Sequence, residues 1–253
     1  MKKNIVWLAS YPKSGNTWTR IFLANYIRNG KDALPINEVP LYGMGDSIAR
    51  TYFAVAGRQF DTRDMGLVVK LREKVLRGIA GNNADVNFVK THSINKVAAG
   101  HPLIPHSLTK SAIYVVRNPL DMVLSYAKHY ALTHEQATLA ICHKDNALQS
   151  DQSTVGSLLG TWSDHARSWA GFHPYTVLVL RYEDMLDTPV EQFRKVLTHI
   201  GMPVDEERLA RAVRFSSFDE LKKQEEKSGF VEKARNSDAG FFRKGQSGQW
   251  REE

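Results

Sequence analysis

Cysteine is nearly absent from the 253 residues, Cys142 being the only one. An internal disulfide is therefore impossible, and a secreted disulfide framework and a thiolate zinc site are excluded with it. A reducing compartment fits. Long apolar runs are missing as well: no stretch approaches the ~20 apolar residues of a membrane-spanning helix. Residues 5–9 follow Lys2 and Lys3 but are shorter than the roughly 7–15 residues of an export core, and they lead straight into Ser10-Tyr11-Pro12-Lys13. The chain is thus expected to be soluble and cytoplasmic. Metal-binding patterns are lacking too. Nine histidines are scattered without H-E-x-x-H or a carboxylate cluster, and His101 and His106 lie in a proline-flanked loop. With no internal repeat and no dividing linker, residues 1–253 are expected to form a single domain.

What is present is a core and an excess of basic charge. Hydrophobic residues make up 42% and aromatic residues 10%, enough to exclude a disordered chain. Lys and Arg number 34 against 27 Asp and Glu, a net charge of +7, which calls for an anionic partner without naming it. Nucleic acid would demand a basic helical stripe or aromatic stacking platforms, whereas the informative cations here lie at strand ends.

Four runs, residues 4–10, 86–92, 112–117 and 176–182, are rich in Val, Ile, Leu and aromatics with little alternation, the pattern of strands covered on both faces. Helical patterns occupy residues 16–29, 64–81, 119–130, 155–172 and 189–200. This alternation predicts an α/β fold with a parallel sheet. Asn118-Pro119 and Asp187-Thr188-Pro189 mark helix starts, and Gly201 marks a stop. Residues 205–227 read as charged helix with Leu209, Val213, Phe218 and Leu221 inward, and a loop follows from Ser228.

The first strand runs into Tyr11-Pro12-Lys13-Ser14-Gly15-Asn16-Thr17-Trp18 and then a helix. A strand, a small-residue turn and a helix start make an anion site, because backbone N–H groups and the helix dipole point at the same place. It is not a Walker loop, since the lysine precedes the single glycine. The second strand ends in Lys90-Thr91-His92, whose two-residue spacing puts Lys90 and His92 on one side. The third ends in Arg117-Asn118-Pro119-Leu120-Asp121, with Ser125 about two turns along the next helix. Arg117 and Ser125 can grip a phosphate; alternatively, Arg117 pairs with Asp121 and Ser125 only packs. The fourth ends in Tyr182-Glu183-Asp184-Met185, whose carboxylates can cap the next segment. Near the end, Phe241-Phe242-Arg243-Lys244-Gly245-Gln246-Ser247-Gly248-Gln249-Trp250 is either a phosphate loop or an ordinary surface loop.

Together these motifs resemble, in type and order along nearly the whole chain, those of the PAPS-dependent sulfotransferase family of the cytosolic type. The resemblance implies a P-loop-like three-layer α/β fold with a central parallel sheet flanked by helices. It also implies transfer of a sulfuryl group from 3′-phosphoadenosine 5′-phosphosulfate (PAPS) to a hydroxyl or amine of a small acceptor, leaving adenosine 3′,5′-bisphosphate (PAP), with no metal required. Carried over by position, Lys13, Ser14, Gly15, Asn16 and Thr17 hold the 5′ side, while Arg117, Ser125, Arg243, Lys244 and Gly245 hold the 3′-phosphate. Trp18, Tyr182 and Phe218 contact the adenine, with Ser216 hydrogen-bonding nearby. His92 is the general base, and Lys13 and Lys90 stabilise the transferring group. The roughly four negative charges of the nucleotide product match the basic loops.

The chain departs from the family pattern at Asn16, Leu120 and Gln249, where threonine, lysine and aspartate are common. It is also expected to lack a short tail after Glu253, and the dimerisation motif of many animal members is absent. Residues 38–63, 130–155 and 226–242 are expected to build the acceptor pocket, with Tyr42, Phe53, Phe60, Tyr130 and Phe230 as its walls or as ordinary core. An apolar or aromatic alcohol is the favoured acceptor. On the residues alone, a magnesium-dependent P-loop kinase and a non-catalytic adenine-nucleotide-binding protein remain the alternatives.

Overall fold

The computed structural model of the protein describes residues 2–233, 240–242 and 244–252. Its strands are β1 (Ile5–Ser10), β2 (Met44–Gly45), β3 (Asn87–Thr91), β4 (Val97–Ala98), β5 (His101–Pro102), β6 (Thr109–Val116), β7 (Ala147–Leu148), β8 (Ser157–Leu158) and β9 (Thr176–Arg181). The helices are α1 (Asn16–Arg28), α2 (Ala49–Ala56), α3 (Met65–Ala80), α4 (Pro119–His129), α5 (His134–Cys142), α6 (Trp162–Ala170), α7 (Tyr182–Asp187), α8 (Pro189–His199), α9 (Glu206–Phe215) and α10 (Phe218–Ser228), with a 3-10 turn at Ile36–Tyr42. The main sheet has the order β2-β3-β1-β6-β9, and β4-β5 and β7-β8 form separate antiparallel pairs. β1 and β2 each run parallel to β3, with Ile5 opposite Asn87 and Met44 opposite Val89. The expected α/β architecture, a parallel sheet flanked by helices, is the one adopted.

Packing divides the chain into two compact units. One comprises Met1–Tyr11, Met44–Tyr114 and Ala140–Val177, the other Pro12–Gly43, Val115–Leu139 and Leu178–Glu253. In the first, every residue of β1 is buried, and the indole of Trp7 donates to Thr109 Oγ1 at 2.9 Å. α3 starts on the side chain of Asp64, which accepts from the Leu67 amide, and buries Val68, Leu71, Val75 and Ile79 along one stripe. Arg72 on the same helix is buried too, paired with buried Asp46 and donating from Nε to the Leu103 carbonyl at 2.7 Å. The Asp46 amide donates to the Lys90 carbonyl at 3.2 Å, so this ion pair braces the end of β3. Removing one partner strands a buried charge. Arg72→Ala is therefore expected to destabilise the protein by about 3–5 kcal/mol, read by denaturant unfolding, whereas an exposed pair such as Arg167 with Asp164 contributes less than about 1 kcal/mol.

In the second unit, α1 buries Ile21, Phe22 and Leu23, and Phe22 stacks on Phe193 of α8 at 4.0 Å. Ile21, Ala24, Leu34, Ile36, Val39, Leu221 and Phe230 form a continuous core, against which Trp18, Tyr42, Phe241 and Phe242 pack. Phe230 is thus core, and Tyr42 lies against it. α4 starts as its sequence reads, with Asn118 Oδ1 accepting from Leu120 and proline at the first position. At α8 the proline is in place, but the N-cap residue is Thr188, with no side-chain cap.

Three segments differ from their sequence expectation. Residues 155–172 are not one helix: Ser157–Leu158 pairs with Ala147–Leu148, and the helix begins at Trp162 because Thr161 accepts from the Asp164 amide. The last strand is not covered on both faces. It ends the sheet order, and of its residues only Leu180 is buried, Val179 being 41% exposed. Residues 205–227 are two helices separated at Ser216-Ser217, where Ser217 caps the second. Leu209 and Leu221 are buried as expected.

Candidate active site

Within the second unit the loop after β1 holds an unusual backbone. Lys13 has φ 65° and Gly15 φ 106°, and the former conformation is rare for a residue with a side chain. Gly15 is needed twice over, since a Cβ there would also come within 2.8 Å of Tyr182 Cδ2. No side chain caps α1, and its first turn carries no acid, so the dipole end stays positive. The Lys13 ammonium lies 3.7 Å from the ring centre of Phe241.

Arg117 ties this loop to the last motif. Its Nη1 donates to the Lys13 carbonyl at 3.2 Å, its Nη2 to the Gln246 carbonyl at 3.4 Å, and its guanidinium lies 4.5 Å over the Tyr182 ring. Burial raises the pKa of the Tyr182 phenol, and the Arg117 charge partly offsets this. Asp121 does not pair with Arg117: its carboxylate accepts from the amides of Gly248 at 2.7 Å and Trp250 at 3.1 Å, fastening the last motif to the first turn of α4. Glu183 accepts from the Asn118 amide at 2.9 Å, so the Tyr182-Glu183 motif braces the turn that carries Arg117.

In the same unit, Trp18 stands edge-on to Tyr182 at 6.0 Å. Phe218 packs against Gly245, whose φ is 58° and where a Cβ would come 2.5 Å from Phe218 Cδ2. Ser216 is buried, and its hydroxyl hydrogen is directed at the carbonyls of Ala212 and Val213, 2.9 and 3.1 Å away. It can offer only a lone pair to a ligand. Ser125 is half-buried on α4 and Lys244 is exposed. Arg243 lies outside the described residues.

Among the described residues, Ser14 Oγ and Arg117 Nε are buried polar atoms without a hydrogen-bond partner. Such atoms are costly unless a ligand satisfies them. Sequence reasoning missed Glu232, whose carboxylate accepts from Thr17 Oγ1 at 2.9 Å and from Arg20 Nη1 at 2.6 Å. It missed Glu225 as well, which accepts from the amides of Phe241 and Phe242. No short-range pattern marks either residue.

In the first unit, Lys90 and His92 are both half-buried while Val89 and Thr91 are buried, the alternation expected of side chains sharing one side. His92 stands one residue past the end of β3, with Nδ1 2.8 Å from the carbonyl of Ser10 and 3.4 Å from its hydroxyl. A carbonyl only accepts, so Nδ1 carries the hydrogen and the basic lone pair belongs to Nε2.

The sulfotransferase domain model matches residues 3–253. The chain belongs to the sulfotransferase family. Sulfotransferase 1 family member D1 of Mus musculus is 27% identical over 257 residues, covering 97% of this chain and 76% of the mouse protein. Among solved structures, mouse sulfotransferase SULT7A1 complexed with PAP is 25% identical with a TM-score of 0.61, covering 100% of this chain and 78% of that one. Retinol dehydratase in complex with androsterone and PAP shares the fold at 19% identity, with a TM-score of 0.63 and coverage of 100% and 76%. In this sulfotransferase chain the sequence-read residues Lys13, Gly15, Trp18, Arg117, Tyr182, Phe218 and Gly245 are joined by the contacts described for the second unit. No helix among the described residues is long and apolar enough to cross a membrane.

Proposed function

We propose that this sulfotransferase moves a sulfuryl group from PAPS to a hydroxyl, or an amine, of a small apolar or aromatic acceptor. The observation that carries the nucleotide reading is Arg117, a buried guanidinium that braces the carbonyls of Lys13 and Gln246 while its Nε lacks a protein partner. Arg117 Nε and Ser14 Oγ fit a ligand with several anionic oxygens. In this reading Lys13, Ser14, Gly15, Asn16 and Thr17 hold the 5′ side; Arg117, Ser125, Arg243, Lys244 and Gly245 hold the 3′-phosphate; and Trp18, Tyr182, Ser216 and Phe218 receive the adenine. Ser216 acts there as an acceptor. In transfer, the acceptor oxygen attacks sulfur, the bond from sulfur to the 5′-phosphate oxygen breaks, and PAP leaves. His92 Nε2 takes the acceptor proton, and Lys13 and Lys90 offset the charge that develops.

The lysines supply the positive charge that phosphoryl-transfer enzymes obtain from magnesium, so the reaction needs no divalent ion. Half-buried Phe53 and Phe60, edge to face at 5.3 Å, offer apolar surface to the acceptor. The reading takes residues 1–253 as one sulfotransferase domain, as the family match over residues 3–253 supports, and places it in the cytoplasm, where a lone Cys142 stays reduced. Labelled sulfate should pass from PAPS to a panel of phenols and alcohols in excess chelator. Loss of all transfer on chelation, restored by magnesium, would overturn the assignment.

Glu232 supplies a second check. Its carboxylate takes up the Thr17 hydroxyl and the Arg20 guanidinium, two groups that an incoming phosphosulfate would otherwise draw on. Glu232→Gln is expected to tighten PAP binding by a factor of about three to five, the ~1 kcal/mol scale of a partly exposed charge, measured by calorimetric titration. Weaker binding would show that Glu232 organises the loop instead.

A further inference from the structure

Beyond Thr91 the chain leaves the sheet ladder, and residues 92–95 must find other partners for their backbone groups. α6 supplies them. His165 Nε2 lies 3.0 Å from the His92 carbonyl, and Trp169 Nε1 donates to the Ser93 carbonyl at 3.1 Å. The Asn95 amide donates to Ser168 Oγ at 3.1 Å. His165 and Trp169 are four residues apart, hence on one face of the helix, and both are completely buried. On the other side of the ring, His165 Nδ1 is 3.0 Å from the hydroxyl of Tyr114, whose own ring stacks on Trp169 at 5.9 Å. Tyr11 stands edge-on to His165 at 5.2 Å. Since a carbonyl only accepts, His165 carries its hydrogen on Nε2 and accepts from Tyr114 at Nδ1. Burial holds its pKa down to about 4, so the ring is neutral and keeps this tautomer at ordinary pH.

The His92 imidazole is thus fixed at two points: its own Nδ1 on the Ser10 carbonyl, and its backbone on α6. We propose that His165 is a positioning residue that aims the His92 imidazole by holding the carbonyl of residue 92, a role that rests on His92 acting as the general base. Rotation of the peptide after His92 would swing the ring about its attachment, and a displacement near 1 Å is enough to cost on the order of 10²-fold in rate.

His165→Phe keeps the ring volume and removes both hydrogen bonds, while His165→Gln puts an amide N–H close to where Nε2–H stood. The first is expected to lower kcat by about 10- to 100-fold, with the acceptor KM and the PAP dissociation constant moving less than about twofold. The second should restore most of the loss. The decisive comparison is the double variant: in a His92→Ala background, His165→Phe should cost no further rate, because the residue it positions is gone. An undiminished cost in that background, or an unchanged kcat in the single variant, overturns the proposal alone. Near-normal turnover of His92→Ala removes the base assignment, and the proposal with it. Should His165→Phe fail to fold, Tyr114→Phe removes only the hydroxyl that fixes the tautomer, and the proposal then requires a severalfold loss of kcat that vanishes in the His92→Ala background; an additive loss refutes it.

Discussion

His92→Ala is expected to lower turnover by about 10²–10⁴-fold while leaving affinity for PAP unchanged, the contribution of a positioned acid–base group lost without damage to nucleotide binding. The expectation rests on the tautomer: with Nδ1–H on the Ser10 carbonyl at 2.8 Å, Nε2 holds the lone pair that can receive a proton. An acceptor already ionised at the assay pH has no proton to lose and should recover part of the rate. Single-turnover kinetics with a neutral and an ionised phenol give both numbers. Near-normal turnover would move the base elsewhere, and a variant that fails to fold would make His92 a structural residue.

The second large effect belongs to Arg117. Arg117→Ala removes a charge-assisted contact of about 1.5–3 kcal/mol, so PAP should bind roughly 10- to 100-fold more weakly. Adenosine 5′-phosphosulfate, which lacks the 3′-phosphate, should bind poorly to the parent protein and be nearly indifferent to the change. The control is needed because Arg117 also braces the Lys13 and Gln246 carbonyls. Equal losses for both ligands in calorimetric titration would assign Arg117 to bracing alone.

Legibility in the sequence followed the range of the interactions. The core strands were readable because β1 is buried along its whole length, so its apolar run carries no ambiguity. α4 was readable because Asn118-Pro119 caps it locally. The break before α6 was not: Val155 and Leu159 are buried and four apart, a helical spacing that here flanks the short strand β8. Likewise α2 and α5 lie in segments expected to build the acceptor pocket and assigned no helix.

The candidate site divides in the same way. Lys13, Lys90, His92 and Arg117 stand at strand ends and announce themselves. Asp121 is the alternative partner for Arg117 in the sequence, four residues away, yet it serves amides more than 120 residues downstream. Glu232 and His165 are equally silent in sequence, because their partners, Thr17 and the His92 carbonyl, come near only through the fold.

Thermal denaturation with two ligands tests the central claim most directly. PAP at about 100 times its dissociation constant, in excess chelator, should add about 2.7 kcal/mol, a rise in Tm of several degrees for a chain of this size. ATP with magnesium at the same concentration should add little, since it lacks the 3′-phosphate proposed to sit on Arg117. Stabilisation by magnesium-ATP and not by PAP would contradict the account and return the chain to phosphoryl chemistry.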